Sequence, residues 1–351
     1  LKKHRRIILA HGSGGKLSHD LIKEVFLKHF ANPTLNKLDD AAVVSLSSIA
    51  HRLLQGEEAS DKVRFAFTTD SYVVSPLFFP GGDIGKLSVC GTVNDLSMMG
   101  AKPLFLSASF IIEEGFQISE LERILSSMRK AAEEAKVTII AGDTKVVDKG
   151  SADGMFISTT GVGFIPGGVE ISGSNARPGD KVIVSGTIGD HGIAILSQRE
   201  GLRFSIRLRS DCAPLNELVE DMLEASKEIH CLRDPTRGGI ASALNEIATK
   251  SNVGIRIYEE AIPIHDAVRA ACEMLGLDPF HLANEGKLIA IVRHSDAEKV
   301  LAKMKENRYG VDAAIIGEVV EEHKGRVVLK TIFGASRLLD MLVGDLLPRI
   351  C

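Results

Sequence analysis

The sequence has no tryptophan and only 3 tyrosines and 14 phenylalanines in 351 residues, too few rings for a platform that stacks nucleic-acid bases. It has no basic excess either. Forty-two Lys and Arg against 46 Asp and Glu leave a net charge of −4, which argues against a broad phosphate-backbone surface and against nucleic acid as a partner. No uncharged stretch reaches the roughly 18 apolar residues of a membrane span. The longest candidate, Gly154 to Val169, is rich in Gly and Thr and reads as strand plus turn. The basic start (Lys2, Lys3, Arg5, Arg6) precedes only four apolar residues, too short a core for a signal peptide. Cysteine is scarce: Cys90, Cys212, Cys231, Cys272 and Cys351 form an odd, scattered set without a CxxC pair. That excludes a disulfide framework or a zinc site and makes a reducing cytoplasm the expected compartment.

The chain does contain short apolar runs alternating with amphipathic stretches from end to end, the pattern of a mixed α/β fold. Strands are predicted in the runs ending before Asp70, starting at Pro103, ending before Ala141 and starting at Met155. A helix is predicted over Leu121 to Ala135, with Ser119 and Glu122 in capping-box spacing and Leu121, Leu125, Met128 and Ala132 along one face. Near Pro166 the segment PGGVEISGSNARPGD reads as a linker. Beyond it a second α/β unit carries predicted helices over Pro214 to Ile229, Gly239 to Lys250 and Asp296 to Glu306. The expected division is 1–170, 171–340 and a flexible tail 341–351, consistent with about 150 residues per domain.

Several clusters could carry chemistry. HGSGGK, from His11 to Lys16, can present successive N–H groups to an anion or form a simple turn. It fits neither common nucleotide fingerprint, because Ala10 and Leu17 stand where glycine is required. Asp40, Asp70, Asp95 and Asp143 lie at turns or predicted strand ends, where ligands gather in open α/β sheets. Together they would suit Mg²⁺ and a triphosphate; singly, each could cap a helix or turn. DPTRGG (Asp234 to Gly239) has the look of a helix N-terminus and anion site, or of an ordinary N-cap. SGTIGDHG and ANEGK add glycines beside charge. The sequence closes on LLPRIC, where Pro348 discourages a helix and the last residues are expected to project with the Cys351 thiol.

Taken together, HGSGGK, DDAAVV, TDSYVVSPLFFPGGDIGKLSVCGTVNDLSMMGA, AGDTKVV, SGTIGDHG, DPTRGG, ANEGKL and the final PRIC resemble the HypE family of hydrogenase maturation proteins. That family belongs to the ATP-using superfamily of aminoimidazole ribonucleotide synthetase, selenophosphate synthetase and thiamine monophosphate kinase. The resemblance covers nearly the whole chain. It implies a two-domain aminoimidazole ribonucleotide synthetase-like architecture and an ATP-dependent dehydratase. A carbamoyl group delivered to Cys351 by a HypF-like carbamoyltransferase would become a thiocyanate. The cyano group would then pass to iron on a HypC–HypD-like scaffold for [NiFe]-hydrogenase.

By the same resemblance, Asp40, Asp70, Asp95 and Asp143 would bind Mg²⁺ and ATP, and the loop Gly12, Gly14 and Gly15 would close over the phosphates. Cys351 would be the acceptor, Glu285 the base and Lys145 a cation near the reacting group, with His191 as a further candidate. A homodimer with its ATP sites at the interface is also implied. The alternatives are a selenophosphate synthetase-like or purine-pathway enzyme, and a non-catalytic scaffold in metallocentre assembly. Against the first, residues 1–20 contain no cysteine. No role is assigned to residues 47–62.

Overall fold

The computed structural model describes residues 11, 15–45, 64–201, 208–344 and 347–351. Gly12, Gly14 and the whole of the 47–62 segment therefore lie outside the described residues. Helix α1 (Lys16–Leu21), continued by a π turn (Ile22–Phe26) and a last turn (Leu27–Phe30), precedes the first sheet. That sheet is built from β1 (Ala42–Ser45), β2 (Arg64–Tyr72), β5 (Lys102–Glu113), β6 (Thr138–Val147) and β7 (Met155–Ile165), in the order β1-β2-β7-β5-β6. β7 alternates buried and half-buried residues along its whole length, so one face is held against the core. It pairs antiparallel with β2 and β5, whereas β6 joins β5 in parallel.

A small hairpin, β3 (Phe78–Phe79) and β4 (Gly82–Asp83), leads into α2 (Ile84–Met98). Asp83 starts this helix by accepting from the N–H groups of Gly85 (2.8 Å) and Lys86 (3.1 Å). α2 is buried on nearly every side, because it packs on β2, β7, α3 (Ile118–Ala135) and the second half of the chain. A helix surrounded in this way shows no polar stripe, which is why apolar periodicity does not announce it. α3 is clearly amphipathic, but it starts at Ile118 with Gln117 as an N-cap that makes no side-chain bond. Ser119 thus sits inside the first turn, and the expected capping box does not form.

The second sheet takes β8 (Lys181–Val184), β9 (Ile229–Arg233), β10 (Gly254–Tyr258), β11 (Ile289–Val292), β12 (Ala314–Val320), β13 (Val327–Lys330) and β14 (Ser336–Leu338). Their order is β14-β13-β10-β12-β8-β11-β9. Helices α4 (Asp190–Arg199), α5 (Asn216–Ala225), α6 (Gly239–Ser251), α7 (Asp266–Leu275) and α8 (Ala297–Glu306) accompany it. The helix expected over Pro214 to Ile229 is shorter, since Ile229 already begins β9. One apolar cluster joins the halves: Leu96 and Met98 of α2 lie in it with Leu218 and Met222 of α5. Among the described residues no helix is long and apolar enough to cross a membrane.

The end of the chain does not project as expected. Ile350 is 2 % exposed and joins the first core cluster together with Leu347. Burying one Ile side chain contributes about 1.5–3 kcal/mol toward the inward tail.

Close contact of α2 with α3 depends on Gly85, where an added Cβ would stand 2.5 Å from the Ile124 carbonyl oxygen and 2.8 Å from Met128 Cγ. Gly85→Ala is expected to destabilise the chain by about 1–3 kcal/mol through overpacking. Urea unfolding checks this, with an unchanged midpoint as the contrary result.

Candidate active site

Residues of both halves line a cleft of about 560 Å³. Asp70 enters from β2, two residues before its end, and Asp95 from the last turn of α2. Asp40 stands just ahead of β1, and Asp234 follows directly after β9. Carboxylate oxygens of Asp40, Asp95 and Asp234 lie within 4.8 Å of one another. Burial and mutual repulsion both disfavour ionising them. Asp40 is pushed up to about 6 by burial, against the pull of Arg233. Asp234 rises to about 8 through burial and then Asp40. Asp95 lies well above the ordinary range, through burial and then Asp70, Asp234 and Asp40.

Two threonines and an arginine hold this cluster. Thr68 Oγ1 donates to Asp95 at 2.8 Å, and Thr92 Oγ1 donates to Asp70 at 2.9 Å. Thr92 is within 2.6 Å of Thr159, the residue opposite Asp70 in the β2–β7 register. Arg233 pairs with Asp40 at 2.9 Å and also with Glu246 of α6. His19 of α1 reaches Glu246 at 3.0 Å. Burial pushes Glu246 up, but Arg233 and His19 outweigh it and its carboxyl lies below the ordinary range. Removing one partner from such a buried pair typically costs about 3–5 kcal/mol.

Glu285 and Cys351 complete the lining. The Glu285 backbone is fixed on both sides: its N–H donates to Asp211 at 3.0 Å, and its carbonyl accepts from Asn94 Nδ2 at 3.4 Å. Its side chain is buried with Oε1 unpartnered. Burial first, then Cys212, Asp234 and Asp211, raise its carboxyl well above the usual range, with Arg237 opposing. An orphaned buried carboxyl beside a cavity is a recognised signature of acid–base work. Cys351 is the one cysteine that is not fully buried.

The remaining expected residues go elsewhere. Asp143 lies in the middle of β6, not at a strand end, because the strand runs on to Val147. Asp143 and Lys145 pair with each other at 3.0 Å on the exposed edge, with side chains 63% and 70% exposed, and neither lines the cleft of its own chain. His191 has both ring nitrogens engaged, with Ser210 Oγ at 2.7 Å and the Ile350 carbonyl at 2.8 Å. It does not line the cleft. Gly15 packs against the chain at residue 342, where an added Cβ would meet the Leu342 oxygen at 2.6 Å. Asp234 is legible as part of DPTRGG, but as an anion-binding helix N-terminus or an N-cap, not as a member of the acidic cluster. Arg233, Glu246 and His19 carried no signal at all.

Two AIR synthase related domains define the class of this protein: the N-terminal domain family matches residues 38–165 and the C-terminal domain family residues 177–330. The chain is 51% identical over 349 residues to the carbamoyl dehydratase HypE of Cupriavidus necator, covering 99% of this chain and 96% of that one. A HypE crystal structure in complex with ATP superposes with TM-score 0.80 at 50% identity, covering 99% of this chain and 100% of that chain. A HypE–HypF complex gives TM-score 0.84 at 51% identity, covering 92% and 99% respectively. The chain belongs to the HypE family of AIR synthase related proteins.

The donor set of Asp40, Asp95 and Asp234 is all hard oxygen and carries surplus negative charge, which suits a divalent cation such as Mg²⁺. Unfolded Asp titrates near 3.9. Folded Asp40 and Asp234 hold their protons to about 6 and about 8. Their folded values are raised, so the stability they confer is complete below the unfolded value and is lost as pH climbs through the folded ones. Mg²⁺ is therefore expected to raise the melting temperature more at pH 8 than at pH 6, and Asp234→Asn to remove most of that increment. Calorimetry at the two pH values checks this; an increment independent of pH and of the substitution is the contrary result.

Proposed function

We propose that this chain removes water, at the expense of ATP, from a carbamoyl group carried on the Cys351 sulfur. The product is a thiocyanate that supplies the cyanide ligand of [NiFe]-hydrogenase iron. The observation that carries this reading is that Cys351 lines the same cleft as the carboxylates of Asp40, Asp70, Asp95 and Asp234 and the buried Glu285. Family membership supports it, since relatives are named carbamoyl dehydratase and one was crystallised with ATP.

A carbamoyl oxygen is a poor leaving group at neutral pH. Transfer of the γ-phosphoryl group to that oxygen converts it into a good one, giving ADP and an O-phosphorylated thiocarbamate. The NH₂ group gives up one proton as its oxygen is phosphorylated, and loss of the second N–H proton to a base then expels phosphate as the C–N triple bond forms. Glu285 is suited to take that proton, because a raised carboxyl is a stronger base once ionised. Arg237, which opposes that rise, favours its ionised form. A divalent cation held by Asp40, Asp95 and Asp234, with Asp70 beside them, would neutralise phosphate charge. Carrying the group on the chain makes the reaction intramolecular, so cyanide is never released.

Asp143 and Lys145 fit this chemistry if they act in the cleft of a second copy. β6 is a long outer strand, and its Ile140 and Val146 are 63% and 68% exposed, an edge that calls for cover. A homodimer joined there would put Lys145 within reach of the partner's reacting group. The carbamoyl donor is proposed to be a HypF-like carbamoyltransferase, as a HypE relative crystallised with HypF supports. A HypC–HypD-like iron scaffold is the proposed acceptor.

Incubated with the donor protein and ATP, the wild-type chain should gain a carbamoyl group and then lose one water in intact-mass spectra. Cys351→Ala should gain nothing. Glu285→Gln should load normally and lose water about 10²–10⁴-fold more slowly. Loading without any ATP-dependent loss of water in the wild type would favour a scaffold instead. Ile140→Asp is expected to yield monomers with little dehydration, read by sedimentation velocity; a monomeric wild type would sink the dimer.

A further inference from the structure

The tail is held by side chains, with Leu347 and Ile350 in the core and Arg349 Nε donating to Val73 O at 3.0 Å, and by a row of main-chain bonds. Cys351 O accepts from Val73 N–H at 3.1 Å, and Arg349 O accepts from Ser75 N–H at 3.2 Å, two residues along on both segments, as in a short added strand. Arg199, the last residue of α4, donates through Nη1 to Pro348 O at 2.9 Å and through Nη2 to Arg349 O at 3.0 Å. The same guanidinium donates to Ser75 O, from Nε at 3.1 Å and Nη2 at 2.7 Å. It therefore ties the tail to the segment on which the tail lies.

The remaining carbonyl, Ile350 O, faces His191 Nε2 at 2.8 Å. A carbonyl only accepts, so Nε2 carries the proton and Nδ1 takes the Ser210 hydroxyl proton at 2.7 Å. Ser210 is fixed in turn, since its N–H donates to Pro80 O at 2.7 Å and its Oγ accepts from Cys212 N–H at 3.0 Å. The ring stands edge-on to Phe79 with centroids 5.5 Å apart. An imidazole committed at both nitrogens and kept off the cleft has no free lone pair for proton abstraction.

We propose that Arg199 and His191 are positioning residues, a latch that grips the tail by its carbonyls and holds the Cys351 sulfur at the cleft for dehydration. The bonds of a main-chain grip do not run through the sulfur. Thiol, thiocarbamate and thiocyanate can be held by the same bonds, while loading and release require the latch to open. This rests on the dehydratase reading for its purpose, but its geometry is tested without the reaction.

Four of the cysteines are buried, so iodoacetamide should alkylate Cys351 selectively, and intact-mass spectra give its rate. Arg199→Gln and His191→Leu are each expected to raise that rate about tenfold, the effect of removing one or two such bonds. Arg199→Lys keeps the charge but not the fork, and a raised rate there separates loss of grip from a change in thiol acidity. His191→Gln keeps an N–H donor and should stay closer to wild type than His191→Leu. Carbamoyl loading should be no slower in Arg199→Gln than in the wild type, while single-turnover loss of water slows by a similar factor. Alkylation at the wild-type rate in both Arg199→Gln and His191→Leu overturns the latch. Faster alkylation in a chain whose wild type never dehydrates supports the latch and defeats the dehydratase reading alone.

Discussion

Carboxylates crowded into a buried cleft are the constraint around which the molecule is arranged. Asp40, Asp95 and Asp234 bring oxygens within 4.8 Å of one another, a configuration that a folded chain tolerates only with counter-charge, donors and shared protons. Arg233 supplies charge to Asp40 while also holding Glu246. Thr68 and Thr92 supply donors to Asp95 and Asp70. The raised carboxyls of Asp40, Asp95 and Asp234 are what burial, and after it repulsion, leave uncompensated.

The burial of α2 follows from the same arrangement. Asp95 has to be delivered into the cleft from a rigid element, and α2 is clamped between the first sheet, α3 and α5. Its neighbour Asn94 extends the clamp: Oδ1 accepts from Leu215 N–H at 2.8 Å, and Nδ2 donates to Ala213 O at 3.1 Å and Glu285 O at 3.4 Å. One helix turn thereby fixes both the Asp95 carboxylate and the backbone of the proposed base. The tail meets this assembly by a different logic. Ile350 anchors it in the core, Cys351 packs against the same cluster, and main-chain bonds set the register in which the sulfur is held.

Much of this was legible because glycine-flanked charges stand out from an apolar sheet pattern. Asp40, Asp70, Asp95, Glu285 and Cys351 were nominated on those grounds together with the family resemblance, and all five line one cleft. Asp143 and Lys145 were equally visible, yet they sit on an exposed edge of their own chain. No sequence pattern distinguishes a residue that serves its own cleft from one that faces a neighbour. Arg233, Glu246 and His19 come from β9, α6 and α1, and nothing local marks an ion pair assembled from three distant elements.

The residues by themselves determined the mixed α/β class, the chemistry on offer and the unusual position of one thiol, since these depend on composition, periodicity and short motifs. Tertiary structure decided which carboxylates share a cleft, that the tail lies inward, and that His191 bonds the Ile350 carbonyl instead of lining the cleft. The physical reason is the same in each case. Repulsion, burial and hydrogen-bond satisfaction depend on distances across the fold, and those distances exist only once the two sheets have closed on α2.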